Sequence, residues 1–86
     1  MNFSFEIQKG EVIIEADTKV FGEIEGNVIV LSGAKLDLFA PVKGDVRLMK
    51  YSKASIRGQV CGNLYNEGAV ECEVTGTVNG RIINKI

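Results

Sequence analysis

From residue 20 onward apolar and polar residues alternate, and the alternation itself repeats every 18 residues. Stepping by 18 from Val20 gives Leu38, Ile56 and Val74; from Ile24, Val42, Val60 and Val78; from Val28, Val46, Leu64 and Ile82. Because 18 is even, side-chain phase carries over from repeat to repeat, so even positions form inward columns and odd positions outward ones. The outward columns are mostly polar: Glu23, Pro41, Gln59 and Thr77 in one, Asn27, Asp45, Asn63 and Arg81 in another. Period-two alternation predicts short strands, and no 3.6-residue stripe predicts a helix. Too little chain separates the strands for hairpins or helical crossovers, so each repeat is expected to form one coil of a solenoid, with strands stacked in parallel about 4.8 Å apart. The expectation is an all-β, single-domain parallel β-helix with an 18-residue coil. Residues 20–86 form its regular coils, and residues 1–19, beginning with the alternating segment NFSFEI, an N-terminal capping strand.

Two columns of small residues punctuate these strands. Gly26, Gly44, Gly62 and Gly80 recur where a coil must turn, and positive φ at such corners would account for glycine there. Gly22, Ala40, Gly58 and Gly76 fall at inward phase, where a narrow interior is expected to exclude larger side chains.

Eighteen residues also make three hexapeptides, the repeat of left-handed β-helices, so spacing alone leaves the hand open. The units GEIEGNV, APVKGDV, GQVCGNL and GTVNGRI resemble the G-x-[IV]-x-G-[DN]-[VIL] units of the bactofilins, bacterial polymer-forming cytoskeletal proteins. The resemblance covers residues 20–86 and implies a right-handed parallel β-helix and a structural role through self-association. The chain departs from the family pattern in having fewer coils and no proline-rich tail.

Composition adds exclusions. The 86 residues are 45% hydrophobic and 24% charged, as in a folded globular domain. Ten basic residues face eleven acidic ones with no run of either sign, which leaves no electrostatic footprint for nucleic acid. Apolar runs are far shorter than the roughly 20 residues of a membrane span, and MNFSFEIQKG lacks the basic start and apolar core of a signal peptide. The expected location is cytoplasmic.

Candidate chemistry is sparse. There is no histidine, the residue on which hexapeptide acyltransferases and carbonic anhydrases of the left-handed fold depend, so no catalytic, metal or cofactor residues are assigned. The paired glycines precede further strands rather than a helix and make no dinucleotide fingerprint. Cys61 falls at outward phase and Cys72 at inward phase, which argues against a disulfide and for one exposed and one buried thiol. The carboxylates Glu23, Glu25, Asp37, Asp45, Glu67, Glu71 and Glu73 are all outward, as on a solvated face. Asn66 and Asn84 share an inward column and are expected to form an amide ladder.

Apolar residues at outward phase are the feature that points to function. Phe21 and Phe39 share a column, as do Leu31 and Met49, and Ile29, Tyr65 and Ile83 lie in another. Covering by the N-terminal segment or contact with another subunit would each account for them. The apolar finish GRIINKI does little to discourage strand pairing at the end of the last coil. Ile29, Leu31, Met49, Tyr65, Ile83 and Ile86 are therefore the candidate self-association residues. The expected function is that of a structural or scaffolding homo-oligomer; the alternative is a non-catalytic module whose outer face binds a protein or carbohydrate.

Overall fold

The computed structural model describes residues 2–4 and 8–84, and among them there is no helix. Fourteen strands of two to four residues form three parallel faces. The first face comprises β1 (Asn2–Ser4), β4 (Thr18–Val20), β7 (Lys35–Leu38), β9 (Lys53–Ile56) and β12 (Glu71–Val74). The second contains β2 (Gln8–Lys9), β5 (Ile24–Glu25), β10 (Gln59–Val60) and β13 (Thr77–Val78), joined through single bridges from Ile24 to Val42 and from Val42 to Val60. The third comprises β3 (Val12–Ile14), β6 (Val28–Val30), β8 (Val46–Leu48), β11 (Leu64–Asn66) and β14 (Ile82–Asn84). The chain visits the faces in turn, one coil per circuit, as a β-solenoid. On the second face the third coil is reduced to a bridge beside Pro41, which has no N–H where its counterpart Thr77 donates to the Gly58 carbonyl at 3.1 Å.

From Thr18 on, every pairing runs at an offset of 18: Thr18 with Leu36, Val28 with Val46, Leu64 with Ile82. The N-terminal segment differs. Asn2 pairs with Thr18, Gln8 with Ile24 and Val12 with Val28, an offset of 16. It therefore stacks as a coil at the end of the solenoid instead of lying across the outer faces. The two missing residues are in the corner after β3, where Glu15–Asp17 spans what Leu31–Lys35 spans one coil later.

The inward columns make the core. Val20, Leu38 and Ile56, Ile24, Val42 and Val60, and Val28, Val46 and Leu64 are all fully buried. Removing each such side chain from water contributes roughly 1.5–3 kcal/mol, which offsets the ordering of a chain almost devoid of local contacts.

The corners correct the reason given for glycine. Positive φ occurs at Gly10, Gly33, Gly68 and Tyr51, and not at Gly26, Gly44, Gly62 or Gly80. What those four require is close approach. A Cβ on Gly44 would fall 2.5 Å from the Gly26 carbonyl oxygen and closer still to Asn27 Oδ1. That oxygen has its own function: Asn27 Oδ1 accepts from the Asp45 N–H (2.9 Å), Asp45 Oδ1 from the Asn63 N–H (2.7 Å) and Asn63 Oδ1 from the Arg81 N–H (2.9 Å). Meanwhile Gly44 N–H donates to Gly26 and Gly62 N–H to Gly44. Each Gly-Asx pair thus closes the corner of one coil on the next, with the glycine leaving room for the Asx oxygen that satisfies a backbone donor. The column of Gly22, Ala40, Gly58 and Gly76 lies at another corner. A Cβ on Gly58 would sit 2.8 Å from the Ala40 carbonyl carbon, so backbone of the preceding coil, not an interior side chain, is the constraint.

The third corner is a set of stacked tight turns. Ala34 N–H donates to Leu31 and Ser52 N–H to Met49, both at 3.1 Å. Positive φ serves the turn at Gly33 (81°) and again at Tyr51 (65°). In the following coil Asn66 Oδ1 takes the N–H groups of Gly68 and Ala69, at 3.1 and 2.8 Å. The expected amide ladder is therefore absent: Asn66 is buried and spent on its own turn, while Asn84 is exposed.

Candidate functional site

The lateral candidates do not form one apolar surface. In register, Ile29 is followed by Arg47, then Tyr65, then Ile83. Arg47 is exposed, its Nε lies 3.0 Å from Glu67 Oε2, and its guanidinium sits 5.6 Å from the centre of the Tyr65 ring. Glu67 Oε2 is shielded from solvent and accepts no hydrogen bond among the described residues, so the ion pair alone compensates its charge. Ile29, Met49 and Tyr65 are half-buried and Leu31 is at the margin of exposure. A cation thus divides the patch. The shallow groove beside it, lined by Glu11, Asn27, Ile29, Asp45, Arg47 and Tyr65, is mostly polar. Phe21 and Phe39 are absorbed in a ladder of their own, their rings stacked at 4.9 Å and 5°, with the Arg57 guanidinium 5.4 Å from Phe39.

The C-terminal end of the described solenoid is different. β12, β13 and β14 each close their face, with a neighbour on one side only. Columns that are fully buried in the middle coils open here: Val74 and Val78 are half-buried, and Ile82 is 50% exposed where Val28, Val46 and Leu64 are at 0%. Val70 is 63% exposed in the column of Ala34 and Ser52. Inward phase therefore means surface in the last coil. Ile82, not Ile83, is the isoleucine that this end presents most fully, and Val70 and Val78 join it; Ile83 is half-buried on the lateral face, and Ile86 lies outside the described residues.

At the opposite end the strands of the first coil continue the same columns. Register places Asn2, Ser4 and Gln8 in the columns of Leu36, Leu38 and Val42. Val12 and Ile14 stand in the columns of Val28 and Val30.

The remaining candidates lie apart from this end. Lys43 Nζ stands 3.9 Å from both Glu23 and Glu25 across an exposed face, an arrangement that contributes at most about 1 kcal/mol. Asp37 departs from the solvated reading of the carboxylates: although outward in phase, it is only 8% exposed. Among the described residues no three potential metal ligands gather. Both cysteines are free; Cys61 is exposed, and Cys72 is half-buried rather than closed off, its thiol pushed up by burial. Brief native labelling at neutral pH should accordingly modify Cys61 about tenfold or more faster than Cys72, which has less access and less thiolate. Peptide mapping would show it, and equal rates would contradict the phase assignment of β12.

The architecture and the repeated Gly-Asx corner can be set against known proteins. Neither the curated proteins nor the solved structures compared contain a match. The bactofilin family model, described as polymer-forming cytoskeletal, matches residues 4–85, which takes in most of the first coil as well as the regular repeats. The chain belongs to the bactofilin family of polymer-forming cytoskeletal proteins.

Proposed function

We propose that this protein is a structural subunit that associates with its own copies through the C-terminal end of the solenoid. The observation that carries the reading is the opening of the inner columns in the last coil, where Val70, Val74, Val78 and Ile82 form an apolar end bordered by three one-sided strands. Such an edge recruits further strands unless it is covered, charged or twisted away. The family supports the same direction, since its members are polymer-forming. No helix of the described residues is long and apolar enough to cross a membrane. A cytoplasmic setting belongs to this reading and draws support from the two free thiols. The family model describes a polymer-forming cytoskeletal protein and lends a catalytic role no support.

Sedimentation equilibrium over a concentration series tests the proposal. The expected result is a weight-average mass that rises with concentration above the 9.3 kDa of one chain. A constant monomer mass up to millimolar concentration would overturn it.

A further inference from the structure

The groove on the third face is built from the corner ladder, and the ladder leaves part of itself unused. Asn27 Oδ1 holds the Asp45 N–H and Asp45 Oδ1 the Asn63 N–H, so both side chains are anchored to the backbone of the next coil. The other atom of each group, Asn27 Nδ2 and Asp45 Oδ2, has no hydrogen-bond partner among the described residues, and both residues line the groove. One coil later the corresponding atom is taken: Asn63 Nδ2 donates to the Tyr65 hydroxyl at 3.2 Å. One coil earlier, register puts Glu11 in the place of the Asx. Its carboxylate is exposed, lines the groove and makes no hydrogen bond or ion pair among the described residues.

An acceptor, a donor and an acceptor thus follow one another down the groove at the coil spacing of roughly 4.8 Å. Two of the three are fixed in place, so little ordering is lost when a ligand meets them. Beside them run Ile29, Arg47 and Tyr65, successive members of the neighbouring outward column. Arg47 is already paired with Glu67, which leaves the two groove carboxylates in excess and disfavours an anion. A basic peptide fits no better, because its ammonium groups would face Asn27 Nδ2 and the Arg47 guanidinium, donors against donors. The groove encloses about 190 Å³, room for about six waters at roughly 30 Å³ each. That suits a single ring. A sugar ring matches each feature: its hydroxyls both donate and accept, its C–H faces suit Ile29 and Tyr65, and it carries no charge.

We propose that this groove is a saccharide site that takes one ring of a neutral oligosaccharide, with Glu11 and Asp45 Oδ2 accepting from its hydroxyls and Asn27 Nδ2 donating to one. The site draws on the first four coils and not on the last, so it stands whether or not copies associate through the C-terminal end.

Exchanging the two anchored side chains tests it without disturbing the ladder. Asn27→Asp and Asp45→Asn each keep an oxygen for the next coil's N–H, as Asp45 and Asn63 themselves do, and change the outward atom alone. Saturation transfer to cellotriose, maltotriose or chitotriose, read on the sugar protons, measures binding to single chains and assemblies alike. At least one of the three should bind with a dissociation constant on the order of 1 mM, as expected of one ring in a shallow site. Each exchange should weaken that binding about fivefold or more at an unchanged melting temperature, and Glu11→Gln, which lies outside the ladder, about threefold. No transfer to any of the three sugars at about 10 mM, or binding that all three variants leave unchanged, would overturn the site. Transfer to trilysine or to trigalacturonate in place of the neutral sugars would overturn the saccharide assignment and make the groove a reader of charge.

Discussion

Replacing Gly44 by alanine should destabilise the protein by about 2–3 kcal/mol, considerably more than replacing Gly33. At Gly33 the added methyl meets open space, and its cost is that of a Cβ at φ 81°, on the order of 1 kcal/mol. At Gly44 the conformation is ordinary but the space is taken: the methyl would lie 2.5 Å from the Gly26 carbonyl and on the Asn27 oxygen that accepts the Asp45 N–H. Either the coils separate at that corner or Asn27 swings away and leaves a backbone donor unsatisfied, and each route costs a few kcal/mol. Equilibrium denaturation of the two variants measures the difference. A Gly33→Ala variant less stable than Gly44→Ala would restore backbone conformation as the reason for the corner glycines.

That contrast shows what the sequence could and could not disclose. A period of 18 specifies register, and register specifies every inward column from Val20 to Leu64, because a residue's phase is a property of counting. The motif also displayed the Asx after three of the four corner glycines, Gly26, Gly44 and Gly62, but an oxygen reaching across to the next coil is a relation between repeats that are 18 residues apart, and no local preference signals it. The first coil escaped the count because its corner after β3 is two residues shorter, which moves its pairing to an offset of 16. Tyr51 takes up positive φ that a tyrosine would not choose by itself, held there by the turn stacked between Gly33 and Gly68. The exposure of the last coil escaped the count for a related reason. Phase separates inside from outside only where another coil lies on both sides, so Ile82 and Val70 count as core by position and are surface in fact. The arginine that divides the lateral patch, Arg47, was visible in its column between Ile29 and Tyr65, but its pairing with Glu67 was not.

The double variant Val70→Asp with Ile82→Asp should raise the dissociation constant of the assembly by about 100-fold or more, because a carboxylate buried against an apolar partner surface loses its hydration without gaining a counter-ion. These two positions suit the test because they are already 63% and 50% exposed in the single chain, so aspartate there should leave the fold of the earlier coils intact. Sedimentation at matched concentrations reads the effect, and near-identical circular dichroism controls for unfolding. If the assembly persisted with undiminished affinity, the C-terminal end would not be the contact, and the lateral face of Ile29, Leu31, Met49 and Tyr65 would be the next to alter.

Amide hydrogen exchange, followed at low and high protein concentration, addresses the central claim most directly, since it reports where the protein meets its own copies as well as whether it does. The account predicts that protection of β12, β13 and β14 rises with concentration while β1, β2 and β3 at the other end, and the outer-face strands β6 and β8, stay unchanged. Concentration-dependent protection confined to the N-terminal strands or to the lateral face, with β12 to β14 exchanging at one rate throughout, would contradict it.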